Sequence, residues 1–321
     1  MRRSLLALAA LVAVPALVSA QTPYTECNQP LITANQQNIN ICNAAIDGAN
    51  VFHPVAGLLV SGGNPALGTF KGLGGLGHFS LTARVNATQV ATPSLTYDGS
   101  STTVSRQDKA YAPAPLIEAG IGLFKGINGL LSIDALGSAQ LIPADKIDNF
   151  SVDKNARKIG SVALGLGYGA RIGVLPGKAV IPSVVVTVMR RDIPRLGYGS
   201  TSGGDNYAFN IDLHATNLRA MAGYNLGIVT VGAGLGYDKY TGKANITFEN
   251  QNVPGTIAVK TDLDNSRTLA FANVSFSLAV VKLGVEGGYQ LGKDQHLKTT
   301  FTGNDPKDSR LFAGAGLTFS F

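Results

Sequence analysis

The chain has 321 residues, 45% of them apolar and only 14% charged, with 39 Gly, two Cys and no Trp. Disorder needs the opposite balance, and a collagen-like or cysteine-dense scaffold needs repeats or cysteines that are absent. The 26 Lys and Arg against 20 Asp and Glu are scattered and form no basic stripe, so a nucleic-acid partner is not expected. Arg2 and Arg3, the apolar run from Leu5 to Val18 and the small residues of Val18-Ser19-Ala20 have the layout of a cleavable export signal. Residues 1–20 are therefore set apart, and the mature chain is expected to start at Gln21. Export makes Cys27 and Cys42 plausible disulfide partners rather than a metal or redox pair. Ile39, Cys42, Ala45 and Ile46 lie at helical spacing with Gly48 as a C-cap, which predicts a short helix, and Phe52 to Gly77 reads as a glycine-rich segment. After Gln21 no stretch of 18 apolar residues occurs, which excludes a transmembrane helix.

From His78 onward the parity of the chain carries the information. Phe79, Leu81, Ala83, Val85 and Ala87 alternate at every step with His78, Ser80, Thr82, Arg84, Asn86 and Thr88. A strand with an apolar medium on one side and a polar one on the other must show this period of two. Comparable segments fall at 78–90, 115–125, 129–141, 159–173, 178–190, 205–224, 228–240, 266–280, 281–291 and 309–321. Short turns are expected at Gly126-Ile127-Asn128, Leu175-Pro176-Gly177, Asn225-Leu226-Gly227 and near Val280, and long polar links, such as 91–114 and 241–265, on the other side. This is the pattern of an all-β, antiparallel transmembrane β-barrel of about ten strands, within a range of roughly eight to fourteen. Parity slips within 205–224: Tyr207, Phe209, Ile211 and Leu213 are odd, whereas Leu218, Ala220, Ala222 and Tyr224 are even. A bulge near Ala215 to Asn217 is expected.

A soluble sandwich also alternates, but its outer face carries Lys, Glu and Thr. Here the polar face is mostly Gly, Ser, Thr, Asn and Gln with isolated charges, as in a lumen wall. The last strand puts Leu311, Ala313, Ala315, Leu317, Phe319 and Phe321 on one face and stops on the aromatic. This resembles the C-terminal strand of bacterial outer-membrane proteins, and the resemblance implies that Phe321 is read by the barrel-assembly machinery and that the protein resides in the outer membrane. Tyr168, Tyr224, Tyr237, Tyr289 and Phe124 are candidates for the interfacial aromatic girdles. Asn64-Pro65-Ala66, between the N-terminal segment and the first strand, resembles an element of the long-chain fatty-acid outer-membrane transporter family, whose barrel has fourteen strands. That resemblance implies that residues 21–76 form a plug inside a barrel of residues 77–321. The inward glycines 165, 167, 169, 232, 234, 236, 314 and 316 either leave room for that plug or relieve crowding in a narrow barrel.

Gly72-Leu73-Gly74-Gly75-Leu76-Gly77 spells a dinucleotide fingerprint, but a period-two strand follows where that site needs a helix. No Walker loop, HExxH or Cys/His cluster occurs, so no cofactor or metal is expected. Asp212 and His214 share a strand face, where a carboxylate could orient a base; a hydrogen bond in the lumen is the blander reading. Arg84, Glu118, Asp134, Arg171, Asp212, Lys282 and Glu286 fall on polar faces at depths where a lone Lys or Arg in hydrocarbon costs about 2 to 4 kcal/mol. With His214 they are the candidate lumen lining. Arg190, Arg191 and Arg195, where a strand leaves the membrane, are candidates for the phosphates of lipopolysaccharide. The function expected is a passive channel or transporter for small solutes, hydrophobic ones included, and not an enzyme. A filled barrel that anchors surface loops is the alternative, and an outer-membrane hydrolase the third.

Overall fold

A computed structural model describes residues 22–127, 130–143, 149–178, 181–251 and 254–321. The expected export signal and Gln21 lie outside the described residues, as does Asn128 of the first expected turn. Ten strands form the wall: β1 (Phe79–Pro93), β2 (Arg106–Phe124), β3 (Ser132–Pro143), β4 (Val162–Lys178), β5 (Ile181–Tyr198), β6 (Tyr207–Leu226), β7 (Val229–Glu249), β8 (Thr256–Leu278), β9 (Val281–Gln290) and β10 (Arg310–Ser320). Each pairs antiparallel with the next. The barrel closes where β1 pairs with β10, from Ser80 opposite Ser320 to Thr88 opposite Phe312. Closure leaves no edge of the barrel bare in the apolar medium, which is what a membrane-spanning sheet requires. Ten strands stand against the fourteen of the transporter family that the Asn64-Pro65-Ala66 element resembles.

The exterior is apolar and the interior polar, the reverse of a water-soluble protein. Leu81, Val85, Ile117, Ile121, Val188, Leu218, Leu235, Leu283 and Leu317 are exposed outside, while Arg84, Glu118, Asp134, Arg171, Arg191, Arg219 and Glu286 are buried inside. Phe79 and Phe321, at the short-turn end, stack at 4.9 Å between ring centroids. An outward apolar band and side chains like these belong in a bilayer. The protein is a β-barrel of the outer-membrane type, and in that architecture the short turns lie on the periplasmic side.

Several sequence expectations are corrected. β7 and β8 pair without interruption from Val229 opposite Phe276 to Glu249 opposite Thr256. The 21 residues of β7 reach about 70 Å at ~3.3 Å each, far more than an apolar band of ~25 Å needs even with tilt. The wall therefore rises well above the membrane, and 241–249 and 256–265 are strand, not loop. Likewise 91–114 is loop only between Pro93 and Arg106, apart from the short strand Thr103–Val104. β4 runs through Leu175-Pro176-Gly177 to Lys178, with a register shift between Gly173 and Leu175, so these three residues are strand and not the expected turn.

The expected bulge in β6 is absent. Its pairing with β7 keeps one register from Leu226 to Tyr207, and its odd residues face inward throughout. Tyr207, Phe209, Ile211 and Leu213 are apolar because the upper lumen holds an apolar helix; Asn217 and Arg219 are polar because the lower lumen does not. The irregularity lies instead in β5, between Ile193 and Leu196.

That helix is α2 (Gln36–Ser61), preceded by the single turn α1 (Pro30–Thr33). Its 26 residues span about 39 Å. Asn35 caps it, its Oδ1 accepting from the Gln37 N–H at 2.9 Å. It does not end at Gly48 as expected. Gly48 faces the Phe209 ring and Gly57 the Tyr240 ring, so both glycines mark close approach to the wall, and the helix ends at Gly62 with φ +59°. Pro54 sits inside and cannot donate to the carbonyl of Asn50. Gln295 replaces that donor, its Nε2 reaching the Asn50 carbonyl at 3.0 Å. Cys27 and Cys42 are joined, with Cα atoms 5.9 Å apart, tying the turn Thr25–Cys27 to the helix.

Candidate functional site: the lumen stopper and its clamps

Residues 22–77 pass through the whole lumen. Tyr24 and Glu26 lie at the extracellular end, where the Tyr24 hydroxyl donates to Asp47 at 2.5 Å and Thr261 Oγ1 donates to Glu26 at 2.8 Å. α2 descends through an apolar collar that includes Ile41, Ile46, Tyr207, Phe209, Ile246, Phe248 and Leu263. Below Ser61 the chain leaves helix and runs to Phe79 at the periplasmic end. Asp47 joins helix to loop: its Oδ2 accepts from the Lys298 N–H at 2.8 Å and from the Thr299 N–H and hydroxyl at 2.7 Å. Burial pushes the Asp47 carboxyl up to about 6, against these donors, which favour the ionised form. Burial likewise pushes the Tyr24 hydroxyl up, with the Asp47 charge adding to it.

Below the collar the wall grips the main chain of the stopper with charged side chains. Glu286 accepts the N–H groups of Gly63 and Asn64, each at 2.9 Å. Arg219 donates to the carbonyls of Gly63 at 2.8 Å and Gly62 at 2.9 Å. Arg84 donates to the Asn64 carbonyl at 2.7 Å and pairs with Glu286 and with Glu118, the latter at 3.4 Å. Glu118 also meets Arg191 at 3.1 Å, and Arg219 meets Asp238 at 2.6 Å. Three guanidinium groups face three carboxylates, which is how charge can be buried at tolerable cost. Nearer the periplasm Asp134 accepts the Leu73 N–H at 3.1 Å and Arg171 Nε at 2.8 Å, while Lys282 donates to the Gly68 carbonyl at 3.1 Å. Asn64 lies at the centre of this grip: its Oδ1 accepts the Ala66 N–H at 2.9 Å, shaping the turn that presents its main chain to Glu286 and Arg84.

Arg84, Glu118, Asp134, Arg171, Lys282 and Glu286 thus point inward. Asp212 and His214 do not, and this corrects the lumen assignment. With β6 in one register they face outside, where Asp212 pairs with Arg195 at 2.8 Å and His214 with Asp192 at 2.6 Å. The two are not joined to each other as acid and base. Arg191, expected at the lipopolysaccharide, is likewise inside, fully buried against Glu118. Arg190 and Arg195 remain on the outer surface, each about two-fifths exposed. Arg219 and Asp238 were missed; their signal was an arginine and an aspartate at inward parity on paired strands, Asp238 lying opposite Asn217. Among the described residues no group of three or more His, Cys, Asp or Glu is placed to hold a metal.

The inward glycines divide. A Cβ at Gly232 would lie 2.5 Å from Phe70 of the stopper, and Gly223 and Gly284, not singled out from sequence, face Phe70 and Leu67. Gly165, Gly167, Gly169, Gly234, Gly236, Gly314 and Gly316 instead make space for neighbouring wall residues, such as Arg219 beside Gly236 and Arg84 beside Gly316.

No protein-family model and no curated relative matches the chain. Among solved structures it is similar to the Neisserial surface protein NspA, at 12% identity over 76% of this chain and 97% of that one, with a TM-score of 0.28. The translocator domain of the autotransporter NalP from Neisseria meningitidis matches at 12% identity over 87% and 96%, with a TM-score of 0.41. The Pseudomonas putida toluene transporter TodX matches at 9% identity over 76% and 88%, with a TM-score of 0.28. Likenesses this remote carry nothing about activity.

Proposed function

We propose that the protein is a stoppered passive channel, closed at rest, in which residues 22–77 must shift for small solutes, hydrophobic ones included, to cross the outer membrane. One observation carries this reading: the inward charges of the wall are spent on the main chain of a separable segment. A barrel that had only to be solid would fill itself with its own side chains. Here Glu286, Arg219, Arg84, Asp134 and Lys282 hold backbone groups of residues 62–73, and Gly223, Gly232 and Gly284 leave a groove for Phe70 and Leu67. Hydrogen bonds of this kind can be exchanged for water as the segment moves, whereas interlocked side chains cannot.

The alternative, a filled barrel that displays its extracellular rim, is favoured by the apolar collar around the upper half of α2. Conductance in planar bilayers separates the two. The intact protein should carry little current, and a variant lacking residues 22–76, shown to be folded by its heat-modifiable mobility on gels, should conduct steadily. A folded deletion variant that passes no current would defeat the channel reading.

A further inference from the structure

We infer that the extracellular mouth contains a binding site for a phosphate group, formed by Arg267 and Arg310. The two arginines line one small recess between α2 and the wall, with Val51, Pro54 and Gln290 as neighbours and Asp308 at the rim. The recess sits where the wall divides: β8 pairs with β9 only as far as Leu269 opposite Gln290, so Arg267 lies just beyond the last pair. Arg310 lies directly across from Gln290 on the other side.

The surroundings of the buried Arg267 and the half-buried Arg310 differ from those of the other buried arginines described. Arg84, Arg171, Arg191 and Arg219 each touch a carboxylate within 3.4 Å. Arg267 is only 5% exposed, yet its described hydrogen bond is to its neighbour's carbonyl, Ser266 O at 3.0 Å. Arg310 donates to the side chain of Asn304, a neutral group. Asp238 stands opposite Arg267 in the ladder, but its oxygens are taken by Arg219, Asn217 and Tyr240. Asp308 is exposed and forms no ion pair with Arg310 among the described residues.

Buried charge in proteins is normally matched. Two guanidinium groups converge on one recess whose one described carboxylate, Asp308, is exposed at the rim and forms no ion pair with them, which leaves an excess of positive charge, and a phosphate dianion supplies negative charge with oxygens suited to forked N–H donors. Val51 and Pro54 add an apolar side, so the phosphate can be free or carried on a lipid headgroup.

The site is testable on the purified, detergent-solubilised full chain, independently of whether the barrel ever opens. Titration calorimetry with inorganic phosphate, and separately with detergent micelles doped with phosphatidic acid against phosphatidylcholine alone, distinguishes the two sources. Saturable binding near one phosphate per barrel is expected in at least one arm. Arg267→Gln and Arg310→Gln should each weaken it at least tenfold, while Lys243→Gln, exposed on the outer face of β7, leaves it unchanged. Asp308→Asn removes a repelling charge from the rim and should tighten binding several-fold, a gain that no folding defect can imitate. Absence of saturable binding in both arms, or binding indifferent to Arg267, Arg310 and Asp308, would overturn the inference.

Discussion

Glu286→Gln is the sharpest test of the clamp. The wild-type carboxylate accepts the N–H groups of Gly63 and Asn64 through separate oxygens and pairs with Arg84 through Oε1. The amide keeps one acceptor oxygen, turns a donor toward one of the two N–H groups and leaves Arg84 with Glu118 at 3.4 Å as its remaining carboxylate. Removing one partner of a buried pair costs about 3 to 5 kcal/mol, most of it from the charge left behind. If that cost falls on the docking of the stopper, its release rises on the order of a hundredfold or more, at 1.4 kcal/mol per tenfold. The wall itself, held by the backbone ladder, should be affected far less. Single-channel recording should therefore show rare openings in the wild type and frequent ones in Glu286→Gln, with heat-modifiable mobility retained. The double variant Arg84→Met, Glu286→Leu removes both charges together and should be less leaky than Glu286→Gln alone, because no unmatched ion is left near the stopper. A Glu286→Gln protein as silent and as thermally stable as the wild type would refute the clamp, and so would a double variant that simply adds the two single costs.

Three further outcomes follow from the geometry. Gly223→Ala places a Cβ about 2.5 Å from the Phe70 ring and should destabilise the stopper by roughly 1 to 3 kcal/mol, as overpacking does; Phe70→Ala in the same chain should relieve it, which a thermal double-mutant cycle would show. Asp47 holds its proton up to about pH 6 when folded and to about 3.8 when unfolded, so the folded state binds more protons between those values and stability falls as pH rises through that window. The difference is about 3 kcal/mol, and hydrogen exchange at the Lys298 and Thr299 amides, compared between wild type and Asp47→Asn, should show it; identical pH profiles would contradict it. In the deletion variant lacking 22–76, Arg267, Arg310 and Lys282 are, among the described residues, the inward cations left over once Arg84, Arg171, Arg191 and Arg219 are matched to Glu286, Asp134, Glu118 and Asp238. Reversal potentials in a salt gradient should then report anion preference; cation preference would contradict that inventory.

The strand count, the closure and the inward charges of the lower lumen were legible because parity reports one thing there: lipid outside, polar interior inside. Residues 205–216 show where that code fails. Tyr207, Phe209, Ile211 and Leu213 are inward yet apolar, and Asp212 and His214 are outward yet polar, because this part of β6 stands above the membrane with water outside and α2 inside. Alternation identifies two faces without saying which is which, and a wall that crosses from one solvent to another inverts its pattern with no backbone irregularity. The apparent slip in parity therefore marked the height of the membrane, not a bulge.

The same inversion explains why the stopper was half legible. Gly48, Pro54 and Gly57 read as helix breakers in water, where a glycine costs about 1 kcal/mol against alanine and an interior proline about 3. Inside the barrel those costs are offset locally. A side chain at Gly57 would collide with Tyr240 and one at Gly48 would crowd Phe209, and Gln295 reaches across from an extracellular loop to the carbonyl that Pro54 abandons. Gln295→Ala tests that compensation: it removes the donor to a part-buried carbonyl, together with a contact to Asn265, without touching the helix, and an unmet carbonyl costs about 1 to 3 kcal/mol. Placed beside Pro54→Ala, which restores the N–H, the two substitutions should be strongly non-additive, the glutamine mattering only while the proline is present. Equal losses from Gln295→Ala in both backgrounds, measured by thermal unfolding, would mean that the helix tolerates Pro54 for some other reason.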